Sequence, residues 1–111
     1  MKSARFLTKP AEYKLVYKEG KSKADYLLAI RMRASGGEIT RIGIVTGKKI
    51  GGAVVRNKVK RRLREITNRL AFKDGYDIVI IARSQIAQAD YTQMESSVNK
   101  LLLRAELIDK E

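Results

Sequence analysis

The chain has 111 residues, of which 24 are Lys or Arg and 12 are Asp or Glu, giving a formal charge of +12; it contains no histidine and no cysteine. That length predicts one domain, 1–111, able to bury a core without disulfides or a structural metal, and the lack of cysteine fits a reducing compartment. Without His or Cys the commonest general base and the thiolate nucleophile are missing, while a cationic excess of this size points to a polyanionic partner.

The opening segment MKSARFLTKP has no apolar run of signal-peptide length, and no window approaches the roughly 20 apolar residues of a membrane span. A soluble cytoplasmic protein without a membrane partner is expected. Thr8 or Lys9 can cap a first helix with Pro10 in its first turn, and Gly20 ends it. Along that helix Lys9, Tyr13, Val16 and Tyr17 share one stripe. Residues 26–34 alternate as a half-buried strand, with Tyr26, Leu28, Ile30 and Met32 on one face and Leu27, Ala29, Arg31 and Arg33 on the other. Ser35, Gly36 and Gly37 make a turn, after which residues 39–46 are expected to supply an antiparallel partner. DIVIIAR (77–83) is apolar on both faces and reads as a central strand covered by helices. Asp90 and Gln93 start a last helix whose packing stripe is Met94, Val98, Leu101, Leu102 and Ala105. The order α-β-β-β-α-β-α predicts a single-domain, two-layer α/β sandwich around a small sheet.

Between these elements lies the most informative stretch, AVVRNKVKRRLREITN (53–68). Residues 1–40 carry nine basic and four acidic groups, residues 41–73 eleven and one, and residues 74–111 four and seven. The positive charge is therefore concentrated in the middle of the chain. At 100° per residue Val55, Val59, Leu63, Ile66 and Leu70 form one docking stripe, which places Arg56, Asn57, Lys60, Arg61 and Arg64 on the opposite side and Lys58, Arg62 and Arg69 at its flanks. Like charges four residues apart destabilise an isolated helix by roughly 0.2–0.5 kcal/mol per pair, and cations in the first turn oppose the helix dipole. A helix built only to pack would not need this one-sided charge. The preceding loop TGKKIGG (46–52) adds Lys48 and Lys49 before a helix amino terminus, where free N–H groups can meet phosphate. It lacks the G-x-x-x-x-G-K-[ST] order of a nucleotide-hydrolysing loop.

KKIGGAVVRNKVKRRLRE (48–65) closely resembles the signature of the bacterial ribonuclease P protein component, K-x-G-x-A-V-x-R-N-x-x-K-R-x-x-R-E. The likeness extends to the two aromatics four apart in the first helix, to GKS (20–22), to RIGIVTGKKIG (41–51) and to GYDIVIIAR (75–83). Lys58 stands where the family commonly has a second arginine, Gly52 where asparagine is common and Gly47 where serine is common. Lysine keeps the charge but loses the planar bidentate fork.

The resemblance implies a protein subunit of the ribonuclease P ribonucleoprotein, which removes the 5′ leader of precursor tRNA. Its partners would be the catalytic RNA and precursor tRNA, with no stable protein partner, and its catalysis would be carried by the RNA. Magnesium ions would be held mainly by that RNA, with none bound tightly by the protein. A mixed sheet with a left-handed β-α-β crossover is implied as well. Carried over by position, Lys48, Lys49, Arg56, Asn57, Lys58, Lys60, Arg61 and Arg64 would contact the catalytic RNA, and Lys9, Tyr13, Tyr17 and Arg31 would border a cleft for the single-stranded leader. A structural RNA-binding protein fits the charge equally but does not predict the 48–65 signature. A membrane-surface helix would carry bulkier apolar residues than Val, Ile and Leu, and a stand-alone nuclease would need a carboxylate cluster or histidine; Asp74 and Asp77 form a close acidic pair and read as turn residues.

Overall fold

The structure, a computed structural model, describes residues 5–109. Its elements are β1 (Arg5–Phe6), α1 (Pro10–Glu19), β2 (Lys21–Ala24), β3 (Leu28–Ala34), β4 (Arg41–Thr46), α2 (Ala53–Asn68), β5 (Tyr76–Ala82) and α3 (Tyr91–Arg104), with short 3-10 turns at Lys48–Ile50 and Ser84–Gln88. From α1 onward this is the predicted order. The two-residue β1 is additional and too short to leave a period in the sequence.

One pairing differs from expectation. Residues 39–46 are not hydrogen-bonded to β3, because β5 lies between the two in the sheet order β1-β4-β5-β3-β2. β3 runs antiparallel to β5 from Leu28↔Ala82 to Ala34↔Tyr76, and β4 runs parallel to β5 from Arg41↔Asp77 to Thr46↔Ala82. The antiparallel partner on the other side of β3 is β2. The connection after β3 therefore opens into a slot instead of closing a hairpin, and the Ser35 N–H donates to the Gly75 carbonyl at 2.8 Å where β5 enters. A strand apolar on both faces gains most from that doubly covered position, so the central placement of DIVIIAR holds.

Alternation along the strands separates two layers. Ile78 and Ile80 of β5, Ile42 and Ile44 of β4 and Leu28 and Ile30 of β3 meet Val59, Leu63 and Ile66 of α2 and Met94, Val98, Leu101 and Leu102 of α3. On the opposite face Val79 packs with Val16 of α1 and with Leu7, bordered by Tyr13, Val45 and Ile81. The alternation of residues 26–34 puts Tyr26 in line with Leu28, yet it lies outside the strand and is 61% exposed, while Leu27 is buried. Asp25 causes this: its Oδ1 accepts from both Leu27 N–H and Leu28 N–H at 2.9 Å, turning the chain before the ladder begins. The Asp90–Gln93 reciprocal cap at the start of α3 is formed as predicted, with bonds of 2.8 and 2.9 Å.

Candidate nucleic-acid interface

The buried face of α2 consists of Val59, Leu63, Ile66 and Thr67. Thr67 belongs to it because its hydroxyl donates within the helix to the Leu63 carbonyl at 3.0 Å and lies 3.1 Å from that of Arg64, so its burial leaves no unpaired group. Including Thr67 rotates the docking face away from Val55, which is 36% exposed. Arg56 and Lys60, expected on the outer side, are half-buried, because they stand seven residues before Leu63 and Thr67 and so on the same face two turns earlier, and the Arg56 Nε is enclosed without a hydrogen-bond partner. Asn57, Lys58, Arg61 and Arg64 are exposed, as are Lys48 and Lys49 in the preceding 3-10 turn.

Charge pairing sets this surface apart. Among the described residues the salt bridges use Arg33, Arg41 and Lys73, and none uses a cation of α2. The helix begins at Gly52 without a side-chain cap and has no acidic residue in its first turn, so the positive end of its dipole adds to the unneutralised side chains. Gly51, at φ 149°, makes the sharp entry from the Lys48–Ile50 turn. At the far end the Arg64 guanidinium sits 5.3 Å from the centre of the Phe6 ring on β1, a cation–π contact that carries the basic surface to the sheet edge.

α1 lies on the other face of the sheet and is fixed there by charge. The Glu12 carboxylate accepts from the Lys9 N–H at 3.0 Å and pairs with Arg41. Arg41 also forks onto buried Asp77, with both nitrogen–oxygen distances 3.0 Å. The backbone N–H of Lys9, and more weakly that of Thr8 together with the Arg41 charge, hold the Glu12 carboxyl below the usual range, while the Asp77 hydrogen bond pushes the Arg41 guanidinium pKa up. Lys9 is the helix N-cap position and its side chain is exposed. Tyr13 is half-buried with its ring pressed on Gly43, where a Cβ would come within 2.4 Å of the ring; its hydroxyl donates to the Leu7 carbonyl at 3.4 Å. Burial pushes both tyrosine phenols up, with the neighbouring Tyr17 adding to the effect at Tyr13. Both are neutral hydroxyls near pH 7. Tyr17, 41% exposed, stands over Arg31, whose Nη2 donates to the Tyr17 and Gly20 carbonyls at 2.6 and 3.1 Å. Arg31 thus fastens the end of α1 to the sheet beneath that ring, with its guanidinium 6.0 Å from the ring centre.

The Lys48–Ile50 turn and the edge of the α1 cluster meet at one groove. Val45 and Ile81, which flank the α1 cluster, also line a groove of about 590 Å³ with Lys48, Lys49, Arg83 and Ser84. It lies at the carboxyl ends of the parallel pair β4 and β5, where α/β folds commonly place ligands. Arg83 is not among the residues that the sequence marks as a site. Finding it requires knowing that β5 runs parallel beside β4, since in sequence it is only the polar end of an apolar strand.

A helix whose cations have no salt-bridge partner among the described residues, packed on a small mixed sheet that carries α1 on its other face, defines a compact α/β protein with one strongly cationic surface. The model of the family described as Ribonuclease P matches residues 1–106. The ribonuclease P protein component of Caldanaerobacter subterraneus subsp. tengcongensis is 38% identical over 107 residues, covering 95% of this chain and 92% of that protein. That of Dehalococcoides mccartyi strain CBDB1 is 39% identical over 110 residues, covering 99% and 92%. Among solved structures, the Staphylococcus aureus RNase P protein superposes with a TM-score of 0.83 at 29% identity, over 96% of this chain and 99% of that one. The RNase P protein from Thermotoga maritima gives 0.80 at 32% identity, over 90% and 96%. The chain belongs to the ribonuclease P protein family.

Proposed function

We propose that this chain is the cytoplasmic protein subunit of a ribonuclease P ribonucleoprotein, binding the catalytic RNA through α2 and the Lys48–Ile50 turn and the single-stranded 5′ leader of precursor tRNA through the α1 cleft. The observation that carries the reading is the unpaired charge of α2. A set of cations with no acidic partner among the described residues can take its counter-charge from a phosphate backbone, and the salt dependence of such binding follows directly. Lys48, Lys49, Asn57, Lys58, Arg61 and Arg64 meet that RNA from exposed positions, Arg56 and Lys60 from the flank. Tyr13 and Tyr17 supply aromatic faces that accept any base, as a leader of varying sequence requires; Lys9 meets its backbone, and Arg31 holds the cleft in shape.

The chemistry belongs to the RNA. Among the described residues no group of three or more His, Cys, Asp or Glu side chains could hold a metal ion, and Asp77 is committed to Arg41. Among the described residues no helix is long and apolar enough to cross a membrane.

Reconstitution tests the proposal. Added to its catalytic RNA, the protein should restore leader removal from precursor tRNA at low magnesium, while the RNA-free protein cleaves nothing. Replacing Tyr13 and Tyr17 by Ala should weaken precursor binding to the holoenzyme by roughly 1–3 kcal/mol for each base unstacked, leaving mature tRNA binding and assembly unchanged. Equal weakening for precursor and mature tRNA would remove the leader from the α1 cleft.

A further inference from the structure

Tyr26 is 61% exposed, yet the backbone around it is among the most heavily tied in the molecule. Asp25 Oδ1 holds Leu27 N–H and Leu28 N–H, and Asp25 Oδ2 accepts from the Ser97 hydroxyl of α3. The Arg83 N–H donates to the Leu27 carbonyl at 2.9 Å, and Arg83 Nη1 donates to the Asp25 carbonyl at 3.0 Å. Leu27 is buried in the core beneath. The aromatic ring is thus carried outward on a fixed platform. Packing does not account for it, because the ring has little to pack on.

Hollows of about 320 Å³ adjoin Tyr26 on two sides. One is bordered by Gln85, Gln88 and Gln93, the other by Thr92, Ser96 and Lys100. These are amide and hydroxyl groups with one cation, suited to base edges, and the Asp25 carboxylate also lines the second hollow. The carboxylates nearby are already satisfied, Asp25 by Ser97 and two backbone N–H groups and Asp90 by the Gln93 N–H. Arg83 is the common wall: it lines the groove that holds Lys48 and Lys49, and it is bonded to the Tyr26 turn.

We propose that Tyr26 is a second stacking site for single-stranded RNA, reached around the end of the sheet past Arg83, where a leader nucleotide farther along the strand than those on Tyr13 and Tyr17 stacks on the exposed ring. The inference rests on the α1 cleft being the leader site. It adds a distal base contact with amide donors and acceptors on either side, so that longer leaders are held more tightly than short ones.

The test uses the reconstituted holoenzyme and precursor tRNAs whose leaders lengthen one nucleotide at a time. Tyr26→Ala should leave mature tRNA and short-leader precursors unaffected, and should weaken binding about 5- to 150-fold once the leader exceeds the length at which the Tyr13 and Tyr17 contribution has levelled off. Tyr26→Phe, which keeps the stacking face, should restore binding, and neither substitution should lower the melting temperature. A Tyr26→Ala variant that binds every leader length like the parent overturns the proposal, as does one whose only change is in self-association, which would make the patch a protein contact. The Tyr13→Ala, Tyr17→Ala protein is run in parallel. If it too is indifferent to the leader, the cleft assignment fails; if it binds precursor more weakly while Tyr26→Ala does not, only the distal site fails.

Discussion

Gly43 shows how one position can decide the shape of a binding surface. Any other residue there would place a Cβ within 2.4 to 2.6 Å of three Tyr13 atoms, so glycine is what lets the phenol end of the ring come down onto β4. The ring is half-buried, in contact with β4 and still partly open to solvent. Gly43→Ala should force the ring off the sheet, destabilise the fold by about 1–3 kcal/mol as overpacking does, and reduce the preference of the holoenzyme for precursor over mature tRNA. Thermal melts and paired binding measurements check both parts, and unchanged melting with unchanged preference would mean that the ring shifts without consequence.

Among the elements, α1 is held by charge at its first turn more than by apolar contact, since only Val16 of its ten residues is buried. The Glu12 carboxyl is held below its ordinary value of 4.5, first by the Lys9 N–H. A group depressed in the folded state stabilises fully above its unfolded pKa, and that stabilisation is lost as pH falls through the folded pKa. Stability should accordingly decline on acidification below about pH 4.5, with Glu12→Gln starting from a lower melting temperature at neutral pH and showing a shallower acid decline. Parallel acid limbs for the two proteins would place the pH dependence elsewhere. Element identity is largely legible from sequence because the 3.6-residue period of α2 and α3, the period of two in β3 and the Asp90–Gln93 cap are local signals. Strand order is not. Ser35, Gly36 and Gly37 look like a hairpin to any local reading, and nothing between β3 and β4 announces that Tyr76–Ala82 will insert between them. The outward face of α2 is misplaced by sequence for an equally specific reason: Arg56 and Lys60 stand seven residues before Leu63 and Thr67 and share their face, and an apolar count omits Thr67, whose hydroxyl is satisfied inside its own helix.

Across the whole molecule the charge is partitioned. The carboxylates Glu12, Glu19 and Asp77 are paired with Arg33 and Arg41 on the α1 face, and among the described residues none of the ion pairs reaches α2. Replacing exposed Lys58, Arg61 and Arg64 by Gln should therefore leave the fold intact, because relief of like-charge repulsion offsets the loss of the Arg64 contact with the Phe6 ring. Binding to the catalytic RNA should weaken, and the slope of log affinity against log salt should become shallower by about 0.7–0.9 for each phosphate no longer neutralised. Titrations at several salt concentrations measure it, and an unchanged slope would make this helix a solvated face. The candidate residues on α2 are legible because their charge sign is so uneven. Arg83 stays hidden until the parallel register Thr46↔Ala82 brings it beside Lys48 and Lys49.

The position of β5 also dictates an order of assembly. A ribosome delivers β3 and β4 well before Tyr76–Ala82, and neither can find its inner neighbour until that last strand has emerged. Until then α2 exists as a cationic segment with its Val59, Leu63 and Ile66 seam uncovered. The contacts that close the sheet are long-range in sequence, so closure is the slow, loop-entropy-limited event of folding. The cationic helix is thus finished as a sequence before it is finished as a surface. A nucleic acid that binds only the completed surface draws the nascent chain toward its native state by mass action.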